Sequence, residues 1–116
     1  MYHLIISTAY RSKLRKTIAM TLTAKQKNYL RALAQHRRVI LTIGTVGLTE
    51  PVLTEIDHAL ARHELLKIRL PPIHRDQRTS ILAQIGQRLH SELIQTIGRV
   101  GVFYRRAEQP KITFPV

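Results

Sequence analysis

The stretch Val39-Ile40-Leu41-Thr42-Ile43-Gly44-Thr45-Val46-Gly47-Leu48-Thr49 decides how this chain folds. Its first five residues are mostly β-branched and predict a short strand buried on both faces. The segment after it, Pro51 to His63, predicts a helix. Val52, Leu53, Ile56 and Leu60 share one face, Thr49 can cap it, and Pro51 is tolerated in the first turn. Gly44 and Gly47 therefore stand in a loop from strand to helix. Glycine has no Cβ, so the backbone can take positive φ and approach a ligand closely. The helix behind such a loop presents N–H groups and a positive dipole end, which suits a phosphate. The same spacing also suits a plain tight turn.

Upstream, Thr23-Ala24-Lys25-Gln26 fits a capping box, and Leu30, Leu33 and Ala34 fall on one face, so residues 24–35 predict a helix. Downstream, Leu66, Ile68 and Leu70 alternate with Lys67 and Arg69, the period of a half-buried strand that Pro71-Pro72 ends. Asp76 is the expected cap of a third helix carrying Ile81, Leu82, Ile85 and Leu89, which Gly86 weakens. Ser91 to Ile97 predicts a strand, Gly98-Arg99 a tight turn, and Val100, Val102 and Tyr104 a final strand that closes a hairpin. The tail from Ala107, with Pro110 and Pro115, predicts irregular structure.

The order α-β-α-β-α-β-β predicts an α/β domain with a mixed, four-stranded sheet, because helical crossovers join parallel strands and the hairpin adds an antiparallel one. Lys67, Arg69, Gln95 and Arg105 are expected to point outward. One sheet face is then solvated and the domain has two layers.

A chain of 116 residues is long enough to bury one core. It has no cysteine, which excludes a disulfide framework and thiolate metal sites and is compatible with a reducing cytoplasm. No apolar run approaches the roughly 20 residues that span a bilayer. The formal net charge is +12. Residues 1–49 hold nine Lys/Arg and no acid, whereas residues 50–116 hold ten Lys/Arg against seven acids. Such asymmetry attracts polyanions. RNA, DNA and an anionic membrane all fit, membrane least, since no basic amphipathic helix with aromatic anchors is present. Residues 1–19 form a basic arm with Arg11, Lys13, Arg15 and Lys16 after a short apolar piece, the reverse of a signal peptide. The arm suits a transit-like segment or an over-extended start before Met20, and residues 20–116 form the domain.

Lys25-Gln26 with Leu30 and Leu33, Gly44-x-x-Gly47-Leu48-Thr49, His63-Glu64-Leu65-Leu66-Lys67-Ile68, Ile97-Gly98 and Tyr104-Arg105 together resemble the YhbY-like, or CRM (chloroplast RNA splicing and ribosome maturation), RNA-binding domain. The resemblance covers about residues 21–114. It implies a fold similar to the C-terminal domain of bacterial translation initiation factor three, with a KH-like glycine loop. It also implies a partner, since stand-alone bacterial members associate with precursors of the large ribosomal subunit and plant members act in intron splicing. The sequence departs from the family at the loop centre. Members often carry a lysine after the first glycine, whereas here the pair is Thr45-Val46, which removes one means of holding a phosphate.

The expected RNA-binding residues are Gly44, Thr45, Val46 and Gly47 with Lys25, Lys27, Arg31, Arg37 and Arg38, whose surroundings lack the acids of an ordinary solubility face. Lys67, Arg69, Arg99 and Arg105 join them from the sheet. With aromatics at 5%, base stacking on the sheet is disfavoured. His58 and His63 do not share a helix face, so no metal is expected. His63 suits a helix end and Glu64 a structural ion pair or cap. No nucleophile elbow, Walker lysine loop or carboxylate pair supports catalysis, and no cofactor or small-molecule substrate is expected. The expectation is a non-enzymatic, cytoplasmic protein that binds large-subunit ribosomal RNA and assists assembly. The alternative is a structural protein coating DNA or RNA by charge.

Overall fold

A computed structural model describes residues 22–115. The basic arm of residues 1–19 lies outside them. Three helices and four strands alternate: α1 (Ala24–Ala34), β1 (Val39–Thr42), α2 (Glu50–His63), β2 (Leu65–Arg69), α3 (Arg75–Leu89), β3 (Glu92–Ile97) and β4 (Val100–Tyr104). This is the expected α/β order with a mixed sheet. The strands lie in the order β1-β2-β4-β3. β1 runs parallel to β2, and β4 runs antiparallel to both β2 and β3.

Local chemistry sets most boundaries. Thr23 and Gln26 close the capping box of α1, each side chain taking the other's backbone N–H at 3.0 and 2.9 Å. Thr49 Oγ1 accepts the Val52 N–H at 3.3 Å and caps α2. The cap of α3 is His74, not Asp76. Its Nδ1 accepts the Asp76 N–H at 3.3 Å, while Gln77 Oε1 accepts the His74 N–H at 3.2 Å. Asp76 instead sits inside the first turn, where its charge complements the helix dipole.

Two further expectations are corrected. β1 is an edge strand, not a strand buried on both faces, and Ile40 is 47% exposed. The sheet also carries structure on both sides. Leu66, Ile68 and Phe103 pack with Ile56 and Leu60 of α2 and Leu82 and Ile85 of α3. Leu65, Val102 and Tyr104, on the opposite face, pack with Leu30 and Ala34 of α1 and with Ile112 and Phe114 of the C-terminal segment. The two-layer expectation thus becomes three layers, because α1 and the tail cover one end of the face expected to be solvated. Gly101 lets α3 lie close on the sheet: a Cβ there would meet Leu82 Cδ2 at 2.6 Å.

Candidate nucleic-acid interface

The parallel pairing of β1 with β2 sends both C-terminal ends to the same end of the sheet. The glycine loop leaves β1 there. β2 exits there through Arg69 and Leu70. The β3–β4 turn comes back to the same place, since the Leu70 N–H donates to the Arg99 carbonyl at 2.6 Å. The loop is a tight turn, with the Gly47 N–H donating to the Gly44 carbonyl at 3.0 Å. Thr45 and Val46 form its tip, and Val46 is 86% exposed.

The two glycines differ. Gly47 has φ +93°, a backbone state that side chains rarely adopt. Gly44 has no such φ, and a Cβ built on it would meet nothing within 4 Å. Among the described residues, nothing crowds position 44 enough to require glycine there.

The helix behind the loop offers less than the sequence suggests. Thr49 takes the Val52 N–H, the Leu53 N–H donates to the Thr49 carbonyl at 2.9 Å, and Pro51 has no N–H. Glu50 opens the helix with a negative charge and pairs with Arg88 at 2.8 Å. A bound phosphate would therefore depend mainly on the amides of the turn itself.

Arg69 and Arg99 stand at the loop end of the sheet, with Arg69 exposed and Arg99 half-buried. The structure adds residues that the sequence pattern did not single out. The first half of α3 starts at this end, and Arg75 and Arg78 face the β3–β4 turn across a cleft of about 530 Å³ that includes Thr96 and Gly98. On the opposite flank of α3, Gln77, Ser80 and Gln84 face Thr45 and Gly47. Their i, i+3, i+7 spacing was a usable signal of a polar helix face beside the apolar one.

The other expected basic residues lie elsewhere. Lys27 pairs with Glu92 at 3.5 Å, at the far end of the sheet, and Lys25 precedes it by two residues. Arg31 bonds Asn28 on its own helix. Arg37 donates to the carbonyls of His63 and Leu65 at 3.5 and 3.3 Å, where β2 begins. Arg38 is exposed beside it. The four-residue β1 separates this pair from the glycine loop by about 13 Å. Lys67 Nζ donates to the Ala34 and Arg37 carbonyls at 3.1 and 3.2 Å, which closes the C-terminus of α1.

Arg105 is not on an exposed face. It is 8% exposed and holds Asp57 Oδ1 at 2.6 Å, the Asp57 carbonyl at 3.0 Å and the Leu89 carbonyl at 3.1 Å. Arg105 follows Tyr104 on the same side of the sheet as Phe103, the face that α2 and α3 cover, not the face of Lys67 and Arg69, so the guanidinium joins helices. Glu64 is structural in a manner the sequence did not show. Its buried carboxylate accepts the N–H groups of Ala107, Lys111 and Ile112 at 2.9, 2.7 and 2.8 Å and fastens the tail.

Burial, together with Arg62, Arg37 and Lys111, holds the His63 pKa below its ordinary value. Burial and Arg105 do the same to His90. Burial and Glu64 push the Tyr104 phenol up to about 12. Among the described residues, no group of His, Asp and Glu could hold a metal ion, and no helix is long and apolar enough to cross a membrane.

An edge strand that feeds a helix through an exposed Gly-x-x-Gly turn, on a four-stranded mixed sheet, defines a class of small α/β domains. Within that class the chain belongs to the CRS1/YhbY (CRM) domain family, whose sequence model matches residues 22–105. It is similar to an RNA-binding protein of Haemophilus influenzae, at 40% identity over 95 residues, 82% of this chain and 96% of that one. A "probable RNA-binding protein" of Pseudomonas aeruginosa is 36% identical over 91 residues, 78% of this chain and 88% of its own length. The "probable RNA-binding protein YqeI" of Bacillus subtilis is 30% identical over 90 residues, 78% of this chain and 94% of that one. The solution structure of a hypothetical Staphylococcus aureus protein, described as a candidate RNA-binding protein, shares the fold with a TM-score of 0.70 at 35% identity. It covers 82% of this chain and 100% of that one.

Proposed function

We propose that this protein binds RNA without catalysing a reaction on it, that its RNA is ribosomal, and that it assists assembly of the large ribosomal subunit in the cytoplasm. The observation that carries the reading is the exposed Gly44–Gly47 turn, where a Cβ on the first glycine would meet none of the described residues. Family membership and the names of the relatives support RNA as the ligand. The ribosomal part follows from the resemblance to stand-alone bacterial members. In this reading the turn amides meet a phosphate, and Arg69, Arg99, Arg75 and Arg78 neutralise neighbouring phosphates. Lys25 and Arg38 contribute a second, weaker contact at the far end.

Crosslinking the protein in cells, sequencing the attached RNA and following its sedimentation tests this. Large-subunit ribosomal RNA and co-migration with subunit precursors are expected. Recovery of messenger RNA or DNA without ribosomal RNA overturns it. Competition separates the charge-driven alternative: shape-specific RNA binding survives excess duplex DNA, whereas a coat held by charge does not.

A further inference from the structure

Between the glycine loop and the flank of α3 lies a cleft of about 350 Å³. Its floor is apolar, formed by half-buried Leu48, Ile73 and Ile81. Its wall is uncharged and polar, formed by Gln77, Ser80 and Gln84. Two hydrogen bonds order that wall. Gln77 Oε1 accepts the His74 N–H at 3.2 Å, which leaves the Nε2 group as a donor. Gln84 Nε2 donates to Ser80 Oγ at 3.2 Å, which leaves Gln84 Oε1 as an acceptor and the Ser80 hydroxyl hydrogen as a donor.

A neutral donor–acceptor wall over an apolar floor does not suit a phosphate, which calls for cations. It is also at the small end of ligand sites and too short for a docked helix. It suits a flat heteroaromatic ring, with the face on aliphatic side chains and the edge on amides. An unstacked nucleobase is such a ring. Thr45 and Gly47 form the facing wall, so a nucleotide whose phosphate rests on the turn has its base within reach of the cleft. The cleft on the other flank of α3 has the opposite character, with Arg75 and Arg78 on its wall, and suits the continuing sugar-phosphate chain.

We propose that the cleft between the Gly44–Gly47 turn and α3 is a base-recognition pocket for one unstacked nucleobase of single-stranded RNA, read at its edge by Gln77, Ser80 and Gln84. This rests on the RNA-binding reading above. Ser80→Ala combined with Gln84→Leu removes edge contacts without changing charge, helix cap or glycine loop. Both side chains are exposed, and a thermal melt checks that the variant folds.

The experiment measures binding of A, C and U oligonucleotides of about eight nucleotides by fluorescence anisotropy across a salt series. The same oligonucleotides with a single abasic position are measured beside them. The wild type is expected to prefer one base and to lose about tenfold in affinity at one abasic position. The double variant is expected to lose the preference and to shrink the abasic penalty, since Gln77 and the apolar floor remain, while its log–log salt slope stays unchanged because every phosphate remains neutralised as before. A wild type that binds with neither preference nor abasic penalty overturns the pocket, as does a variant that retains both. Binding to structured ribosomal RNA with none to single strands also overturns the pocket and leaves the RNA-binding reading standing. Binding to no RNA of either kind overturns that reading and the pocket with it.

Discussion

Gly44 and Gly47 stand three residues apart under different constraints. Gly47 is held at φ +93°, so Gly47→Ala is expected to cost about 1–2 kcal/mol of stability, read as a lower urea midpoint. Gly44→Asp should melt near the wild-type temperature, since its Cβ meets open space. Its carboxylate would oppose the phosphate, and RNA affinity should fall more than about tenfold. Gly44→Asn is the uncharged control. If Asp and wild type bind RNA alike, the turn is not part of the interface. Glu64 gives the complementary case, a residue that acts only on stability. Glu64→Gln keeps an acceptor for Lys111 and Ile112 but turns an N–H group toward that of Ala107. A loss of about 2–4 kcal/mol and faster amide exchange over residues 107–112 are expected, with the RNA salt slope unchanged.

At the scale of elements, α2 and α3 both finish with a histidine at or near the C-terminus. A helix C-terminus ordinarily favours imidazolium. Here burial and neighbouring cations win, and both His63 and His90 have lowered pKa values. The unfolded chain therefore takes up protons first as pH falls. Stability should be full above about pH 6.5, the unfolded value, and decline as pH drops below it. Urea unfolding between pH 7.5 and 5.5 should show this decline, and His63→Gln with His90→Asn should flatten it. A midpoint that rises on acidification would reverse the sign and contradict the lowered histidine pKa values. α1 depends on tertiary partners in another way. Lys67 and Arg37 stitch its end to β2, so Lys67→Ala should loosen residues 34–38 in hydrogen exchange before it affects the glycine loop.

At the scale of the molecule, basic side chains among the described residues stand at both ends of the sheet. Arg69 and Arg99 stand at the end of the sheet where the glycine loop leaves β1, and Arg75 and Arg78 at the start of α3 facing the β3–β4 turn, while Arg37, Lys67 and Arg105 bond to backbone carbonyls or Asp57 near the far end. Arg69→Ala with Arg99→Ala should weaken RNA binding and flatten the log–log salt slope by roughly one unit for each phosphate no longer neutralised. Arg105→Ala leaves Asp57 half-buried and unpaired, so it should destabilise the fold while the folded fraction keeps the full salt slope. If Arg105→Ala flattened the slope and the Arg69/Arg99 pair did not, the two ends would have to exchange roles.

The sequence alone determined the elements, because their signals are local. The Thr23–Gln26 box, the Thr49 cap, the alternation of Leu66 and Ile68 with Lys67 and Arg69, and the Gly98-Arg99 turn each depend on neighbours within a few residues. It also determined that Gly44 to Gly47 joins a strand to a helix. Periodicity states which side chains share a face, but not what covers that face. Only the tertiary structure decided that β1 is an edge strand, since its exposure depends on strand order. The same holds for Arg105, which lies on the sheet face that α2 and α3 cover, and for Glu64, whose ligands come from a tail more than 40 residues downstream. It holds for which basic residues share the glycine loop's end of the sheet. Lys27 and Arg37 are closer to the glycine loop in sequence than Arg75, Arg78 and Arg99 are. Parallel pairing of β1 with β2 carries the loop to the far side of the sheet from Lys27 and Arg37 and brings the start of α3 and the β3–β4 turn to meet it.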